Sequence, residues 1–322
     1  MTTAVVFPGQ GSQTVGMGKA LAKAFPVARE VFARVDEALS QKLSQLMFEG
    51  PEAELTLTSN TQPALMAVSL AALKVLEAES GFAIEKDAVF VAGHSLGEYS
   101  ALCAARSLAL EDAARLLRIR GDAMQQAVPV GEGAMAALLG LEFGAAVKVA
   151  TQAASDLYLS GAVCQAANDN GGGQVVISGT KNAVDRAIEL SKQAGAKRAV
   201  LLPVSAPFHC ALMQPAAEVM RKALDAVAIA RPHPALVANV TAAEVEDPVS
   251  IRTALVEQVT GTVRWRESVE FMSARGVTRF VEVGAGKVLA GLIRRIAPHA
   301  TSISIGAPAD LEVFDRAAAE RT

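Results

Sequence analysis

Cysteine is scarce: Cys103, Cys164 and Cys210 are the three in 322 residues, and they stand far apart. An odd, scattered set excludes a disulfide framework and a CxxC metal or redox site, and it predicts a reducing, cytoplasmic setting. A strong excess of one charge is missing too. With a net charge of -3 the chain has no cationic surplus for neutralising phosphates, so nucleic acid is not an expected partner. No apolar run reaches the ~18 residues of a membrane helix, so no membrane span is expected. Met1 to Gln13 lacks the basic start and long apolar stretch of a secretory signal, and it is not Arg-rich like an organellar transit peptide.

What is present is the material for a core. Hydrophobic residues make up 51% and charged residues 20%, the balance of a packed globule rather than a disordered chain. The length suits two globular units, or one large unit with an insertion. Ala4 to Phe7 is an apolar run stopped by Pro8-Gly9-Gln10-Gly11, which predicts a buried strand followed by a loop. Val27, Val31, Val35 and Leu39 recur at helical spacing, and Thr61-Gln62-Pro63 reads as the opening of a second helix. Ala88 to Ala92 predicts the next strand. It runs into Gly93-His94-Ser95-Leu96-Gly97, and a long helical stretch is expected from there to about Gln126.

Beyond Pro129 the order becomes strand, helix, two short strands around Val163 and Val175, a helix from Lys181 to Ala194 and a strand from Arg198 to Leu202. This β-α-β-β-α-β order is that of a small ferredoxin-like domain. A helix, a strand near Leu236, further helix and a strand at Thr278 to Val283 follow the Pro203 to His209 loop. The expected fold class is α/β. Residues 1–128 and 204–322 form the two parts of a large domain, and residues 129–203 form the ferredoxin-like insert.

Gly93-His94-Ser95-Leu96-Gly97 matches GxSxG between a strand and a helix, the context in which a tight turn lifts a serine hydroxyl above a sheet. Outside that context the same pattern is an ordinary structural turn. The helix that follows offers unpaired N–H groups and a positive dipole end to charge developing on an acyl oxygen. A serine nucleophile needs a base, and the candidates are His94, His209, His233 and His299. His94 adjoins Ser95, where neighbouring side chains diverge, and reads as a packing residue. His233 lies between prolines and His299 follows Pro298, so both read as surface residues. His209 remains, in Ser205-Ala206-Pro207-Phe208-His209-Cys210, as a base or as a satisfied core histidine. Cys210 reads as a buried free thiol.

Phe7 to Gln13, Thr61-Gln62-Pro63-Ala64, Gly93 to Tyr99, Arg120-Gly121, Gln174 to Gly179 and Phe208-His209 together resemble, in order, the motifs of malonyl-CoA:acyl-carrier-protein transacylases. The resemblance spans nearly the whole chain. It implies an α/β-hydrolase-like large domain with a ferredoxin-like insert, and transfer of malonyl from coenzyme A to an acyl carrier protein. Ser95 then resembles the nucleophile and His209 the base, with a backbone carbonyl from Gln258 in place of the usual acid. Gln10 and Leu96 resemble the residues whose backbone N–H groups form the oxyanion hole. Arg120 resembles the arginine that grips the malonyl carboxylate, although a solvated helix charge is the alternative among Arg115, Arg118 and Arg120. Gln62 and Asn168 resemble polar residues of the acyl or pantetheine path, or are helix or turn caps. Phe208 resembles the bulky residue of malonyl-selective members, or is ordinary core. The resemblance implies no bound cofactor beyond the coenzyme A thioester substrate, and a monomer is expected.

Other readings are weaker. Gly284-Ala285-Gly286 lacks the third glycine and the acidic partner of a dinucleotide site, and there is neither a P-loop nor a metal-ligand spacing. The rivals are a discrete acyltransferase of a polyketide synthase, a simple ester hydrolase, and an inactive scaffold that binds a carrier protein.

Overall fold

Ala4 to Phe7 are all fully buried, as a strand covered on both faces must be, and this strand, β1 (Thr2–Phe7), is central to the larger of two sheets. The computed structural model describes residues 1–319. In chain order the other strands are β2 (Phe90–Gly93), β3 (Gly133–Leu139), β4 (Cys164–Asp169), β5 (Gln174–Thr180), β6 (Arg198–Leu201), β7 (Ala235–Ala238), β8 (Ala243–Val245), β9 (Val277–Val283) and β10 (Thr301–Ile305). The large sheet runs β10-β9-β1-β2-β7-β8, parallel except for the β7–β8 pair. The small sheet runs β4-β5-β3-β6 and is antiparallel throughout, with the helices Phe143–Asp156 and Lys181–Gln193 packed on it. It is the ferredoxin-like unit expected from the element order. Among the described residues no helix is long and apolar enough to cross a membrane.

Register decides where the site lies. Phe7 pairs with Gly93, so β1 and β2 end side by side, and the loops leaving them meet above the same edge of the sheet. The small sheet is fastened to that edge through the end of β4: Asp169 N–H donates to Val263 O at 2.9 Å, and Val263 N–H donates to Ala167 O at 2.8 Å. Arg266 clamps the buried Asp169 carboxylate at 2.9 Å from the large domain.

Three local expectations shift. The second helix is Thr58–Ser80, three residues longer at its start than Thr61 suggested, with Pro63 inside it. Its first turn is polar but buried: Asn60 and Thr61 side chains donate to Glu54 O and Leu55 O, so the apolar period becomes visible only after Pro63. The stretch after the elbow is two helices, Gly97–Ala104 and Leu110–Ala127, because Arg106 adopts a left-handed conformation at φ 58 and breaks the ladder. The strand expected at Ala88 begins at Phe90 and extends to Gly93.

The helices Thr58–Ser80 and Leu110–Ala127 touch backbone to backbone at Gly121. A Cβ there would sit 2.5 Å from Ser59 Cα and 2.7 Å from Thr58 O. Gly121→Ala is expected to destabilise the protein by ~1–3 kcal/mol despite alanine's better helix propensity, because main chain cannot yield as a side-chain tip can. Denaturant unfolding checks this; equal or greater stability would show that the helices separate at no cost.

Candidate active site

Ser95 sits on the turn between β2 and the Gly97–Ala104 helix with φ 54, a left-handed conformation that a non-glycine residue adopts only when its surroundings impose it. The turn is tight because its flanking glycines leave no room for more: a Cβ on Gly93 would lie 1.9 Å from Gly97 C, and one on Gly97 would lie 2.3 Å from Phe7 O. Asn239, at the end of β7, ties the turn down from both sides. Ser95 N–H donates to Asn239 Oδ1 at 2.8 Å, and Asn239 Nδ2 donates to Gly93 O at 2.7 Å.

His209 lies 2.7 Å from Ser95 Oγ through Nε2, and its Nδ1 lies 2.8 Å from the Gln258 backbone carbonyl. A carbonyl oxygen only accepts, so Nδ1 carries the proton and Nε2 of the neutral ring is free to accept from the serine hydroxyl. His209 is 4% exposed and also holds a positive φ of 58. Burial, and then the nearby Arg120 charge, push its pKa down to about 3, against the opposing bond to the Gln258 carbonyl. The imidazole is therefore neutral and basic in form at neutral pH.

Arg120 enters from the Leu110–Ala127 helix and is 2% exposed. Nη1 donates to Gln62 Oε1 at 2.7 Å, and Nη2 donates to Gln258 Oε1 at 2.8 Å and Ser95 Oγ at 3.2 Å. These partners are neutral, and Nε–H is buried with none. A guanidinium has five N–H donors: the two on Nη2 go to Gln258 and Ser95, one on Nη1 goes to Gln62, and Nε–H and the second Nη1 hydrogen are left over. The alternative of a solvated helix charge fits Arg115, half exposed and paired with Asp112, but not Arg120.

Ser95, His209 and Arg120 share a cavity of about 230 Å³ with Gln10, Gln62, Asn168 and Phe208. Gln10 Nε2 reaches Thr58 Oγ1 at 3.4 Å, Asn168 lies at the bridge from β4 to Val263, and Phe208 is 7% exposed against the core. Leu96 directly precedes the Gly97–Ala104 helix, whose first N–H groups, those of Gly97, Glu98 and Tyr99, donate to His94 O, Ser95 O and Leu96 O three residues back. Gln258 reaches the site by its carbonyl and its carboxamide but lies outside the cavity lining. His94 also lines this cavity, but its Nε2 shares a 2.9 Å hydrogen bond with Asn170 Oδ1, while His233 and His299 are exposed. A larger cavity of about 520 Å³ lies between the helices around Val31, Leu73 and Cys103. Burial pushes the half-buried Cys103 thiol up to about 12, so it stays protonated at neutral pH.

Residues that the sequence did not single out complete the site. Glu98 is fully buried and accepts from Gln258 Nε2 at 2.8 Å and Asn239 N–H at 3.1 Å, and burial raises its pKa to about 7. Its signal was a lone carboxylate in a helix otherwise without charge. Asn239 and Asn170 carried no comparable signal.

A serine on a strand-to-helix turn, hydrogen-bonded to a neutral histidine, is the arrangement of enzymes that move acyl groups through a serine ester. The chain belongs to the acyl transferase domain family, which matches residues 4–304. The malonyl CoA-acyl carrier protein transacylase of Bacillus subtilis (strain 168) is 46% identical over 310 residues, covering 96% of this chain and 95% of that protein. The crystal structure of acyl-carrier-protein-S-malonyltransferase from Bartonella henselae is 55% identical with a TM-score of 0.94, covering 98% of this chain and 99% of that one. A type II PKS acyl-carrier protein in complex with its malonyl-transacylase also matches, at 42% identity and a TM-score of 0.93, over 98% of this chain and 100% of that one.

The depressed His209 pKa has a signed consequence for rate. Protonation of Nε2 would remove the acceptor that faces the Ser95 hydroxyl, and a pKa of about 3 places that loss far below the usual imidazole value. Acyl loading followed by kcat/KM is therefore expected to show no His209 limb between pH 7 and pH 5. A fall with midpoint near ~6.5 would mean that His209 titrates as if in water.

Proposed function

We propose that this protein transfers a malonyl group from malonyl-CoA, through an ester on Ser95, to the phosphopantetheine thiol of an acyl carrier protein, supplying fatty-acid synthesis. The observation that carries the reading is the buried Arg120 guanidinium within hydrogen-bond reach of Ser95 Oγ. Serine ester chemistry by itself needs no cation at that place, whereas a malonyl thioester brings a free carboxylate there.

In the first half-reaction His209 Nε2 takes the Ser95 proton as Oγ bonds to the thioester carbon. The Gln10 and Leu96 backbone N–H groups stabilise the oxyanion, and a single such donor is typically worth ~10²–10³ in rate. The C–S bond breaks, and coenzyme A leaves with the proton from His209. A carrier thiol then gives its proton to His209, attacks the ester carbon and departs as the malonyl thioester, restoring Ser95 Oγ–H. Gln258 O holds the Nδ1 proton in place through both halves. Arg120 pairs with the malonyl carboxylate, Gln62 and Gln258 hold its fork, and Asn168 and Phe208 border the acyl path. Residues 129–203 act as an inserted domain that closes one side of the channel. The reading carries with it a cytoplasmic monomer without a resident cofactor, acting on neither nucleic acid nor membranes. Similarity to the type II PKS enzyme supports a second reading, in which the carrier belongs to polyketide synthesis with the same chemistry. Side-by-side transfer to fatty-acid and polyketide carriers separates the two.

The test is a comparison of kcat/KM for malonyl-CoA and acetyl-CoA in wild type and Arg120→Ala, with the acyl-enzyme followed by intact mass. Breaking a buried charge pair costs ~3–5 kcal/mol, so the malonyl-to-acetyl ratio is expected to fall by ~10²–10³ or more while acetyl loading persists. Ser95→Ala is expected to gain no acyl mass. An unchanged ratio in Arg120→Ala would remove the malonyl assignment, and rapid release of acid to water by wild type would favour a hydrolase.

A further inference from the structure

We propose that Glu98 is the positioning residue of this site: through Gln258 it fixes the aim of Arg120, and through Asn239 it fixes the turn that carries Ser95. The inference rests on the malonyl-transfer reading and assigns the selectivity of that same site to a residue that touches no substrate.

The Gln258 carboxamide can be placed in two ways that differ by exchange of its oxygen and nitrogen, and its neighbours decide between them. Nε2, a donor, faces Glu98 Oε2 at 2.8 Å and Ser95 O at 3.0 Å, both acceptors. Oε1, an acceptor, is thereby turned onto Arg120 Nη2 at 2.8 Å. Exchanged, the amide would set an NH₂ against the guanidinium and an oxygen against two oxygens. Glu98 is the carboxyl among the acceptors that face Nε2, so its loss leaves the placement to Arg120 and to the neutral oxygens of Ser95 and Asn239 and narrows the gap between the two. The same Oε2 accepts from Asn239 N–H at 3.1 Å, and the Asn239 side chain spans the turn from Ser95 N–H to Gly93 O. One carboxylate oxygen thus holds both the selecting cation and the serine turn.

Packing alone does not account for this residue. Glu98 is 0% exposed on the Gly97–Ala104 helix, its Oε1 has no partner, and a buried carboxyl is costly where an apolar side chain would fit. The charged and titratable groups around it are Arg120 from the Leu110–Ala127 helix, Tyr99 beside it, and His209 across Gln258.

The experiment measures kcat and KM with malonyl-CoA and acetyl-CoA for wild type, Glu98→Met and Glu98→Gln. Glu98→Met is expected to lower the malonyl-to-acetyl ratio of kcat/KM by about tenfold or more, chiefly through a higher malonyl KM. Glu98→Gln keeps an oxygen where Oε2 stands and is expected to recover most of that ratio. Equal losses with both substrates in Glu98→Met, or a ratio in Glu98→Gln as low as in Glu98→Met, would overturn the proposal. Should Glu98→Met not fold, Glu98→Asp withdraws the same oxygen by one methylene, and an unchanged ratio there would overturn it equally. Failure of wild type to load malonyl would overturn the functional reading itself, a result visible before any variant is compared.

Discussion

A guanidinium taken out of water without a carboxylate in contact is the constraint around which the interior is arranged. An unpaired buried cation is among the most expensive groups a protein can carry, and Arg120 has neutral oxygens from Gln62, Gln258 and Ser95 as its partners. Those contacts spread the charge without neutralising it. The remaining donors suit an incoming carboxylate, which would complete what the fold leaves incomplete. Burial depresses the His209 pKa and the same positive charge adds to it, so on the proposed reading the group that would select the substrate also helps keep the imidazole neutral.

Gln258 is where these effects meet. Its backbone carbonyl fixes the His209 tautomer, and its carboxamide faces Arg120, Ser95 and Glu98. A catalytic acid in its place would pair with Arg120 and cancel the attraction for substrate. A neutral carbonyl orients the ring and leaves the arginine charge available. The positive φ values at Ser95 and His209 are of the kind that cost ~1–3 kcal/mol each, and the turn glycines and the Asn239 bridge supply the surroundings that hold the first of them.

The architecture was legible wherever apolar periodicity and turn residues agreed. The β1 run, the GxSxG turn and the β-α-β-β-α-β order could be read directly, and the small sheet follows from the last of these. Two strands carry too little pattern to be read: β8 has three residues, and β10, a half-buried edge strand, alternates serine with isoleucine. The break at Arg106 escaped because no glycine or proline marks it, and the helix start at Thr58 because buried polar residues hide the period. Ser95 and His209 stood out by motif and by elimination. Charge and helical spacing did not separate Arg120 from Arg115 and Arg118, since both are the same for a solvated face; the resemblance at Arg120-Gly121 did, and Arg120 is the buried one of the three. Glu98 and Asn239 act through partners more than a hundred residues away in sequence, and no local pattern encodes such a contact.

The central claim, that the Gln258 side chain serves Arg120 while its backbone serves His209, is tested by a double-mutant cycle on malonyl kcat/KM with Arg120→Ala and Gln258→Leu. Leucine removes the carboxamide and keeps the carbonyl. The expected result is strong non-additivity: Gln258→Leu costs much in wild type and little once Arg120 is gone, a coupling of ~1–3 kcal/mol. Additive losses would contradict the claim and place the Gln258 side chain in a role independent of the arginine.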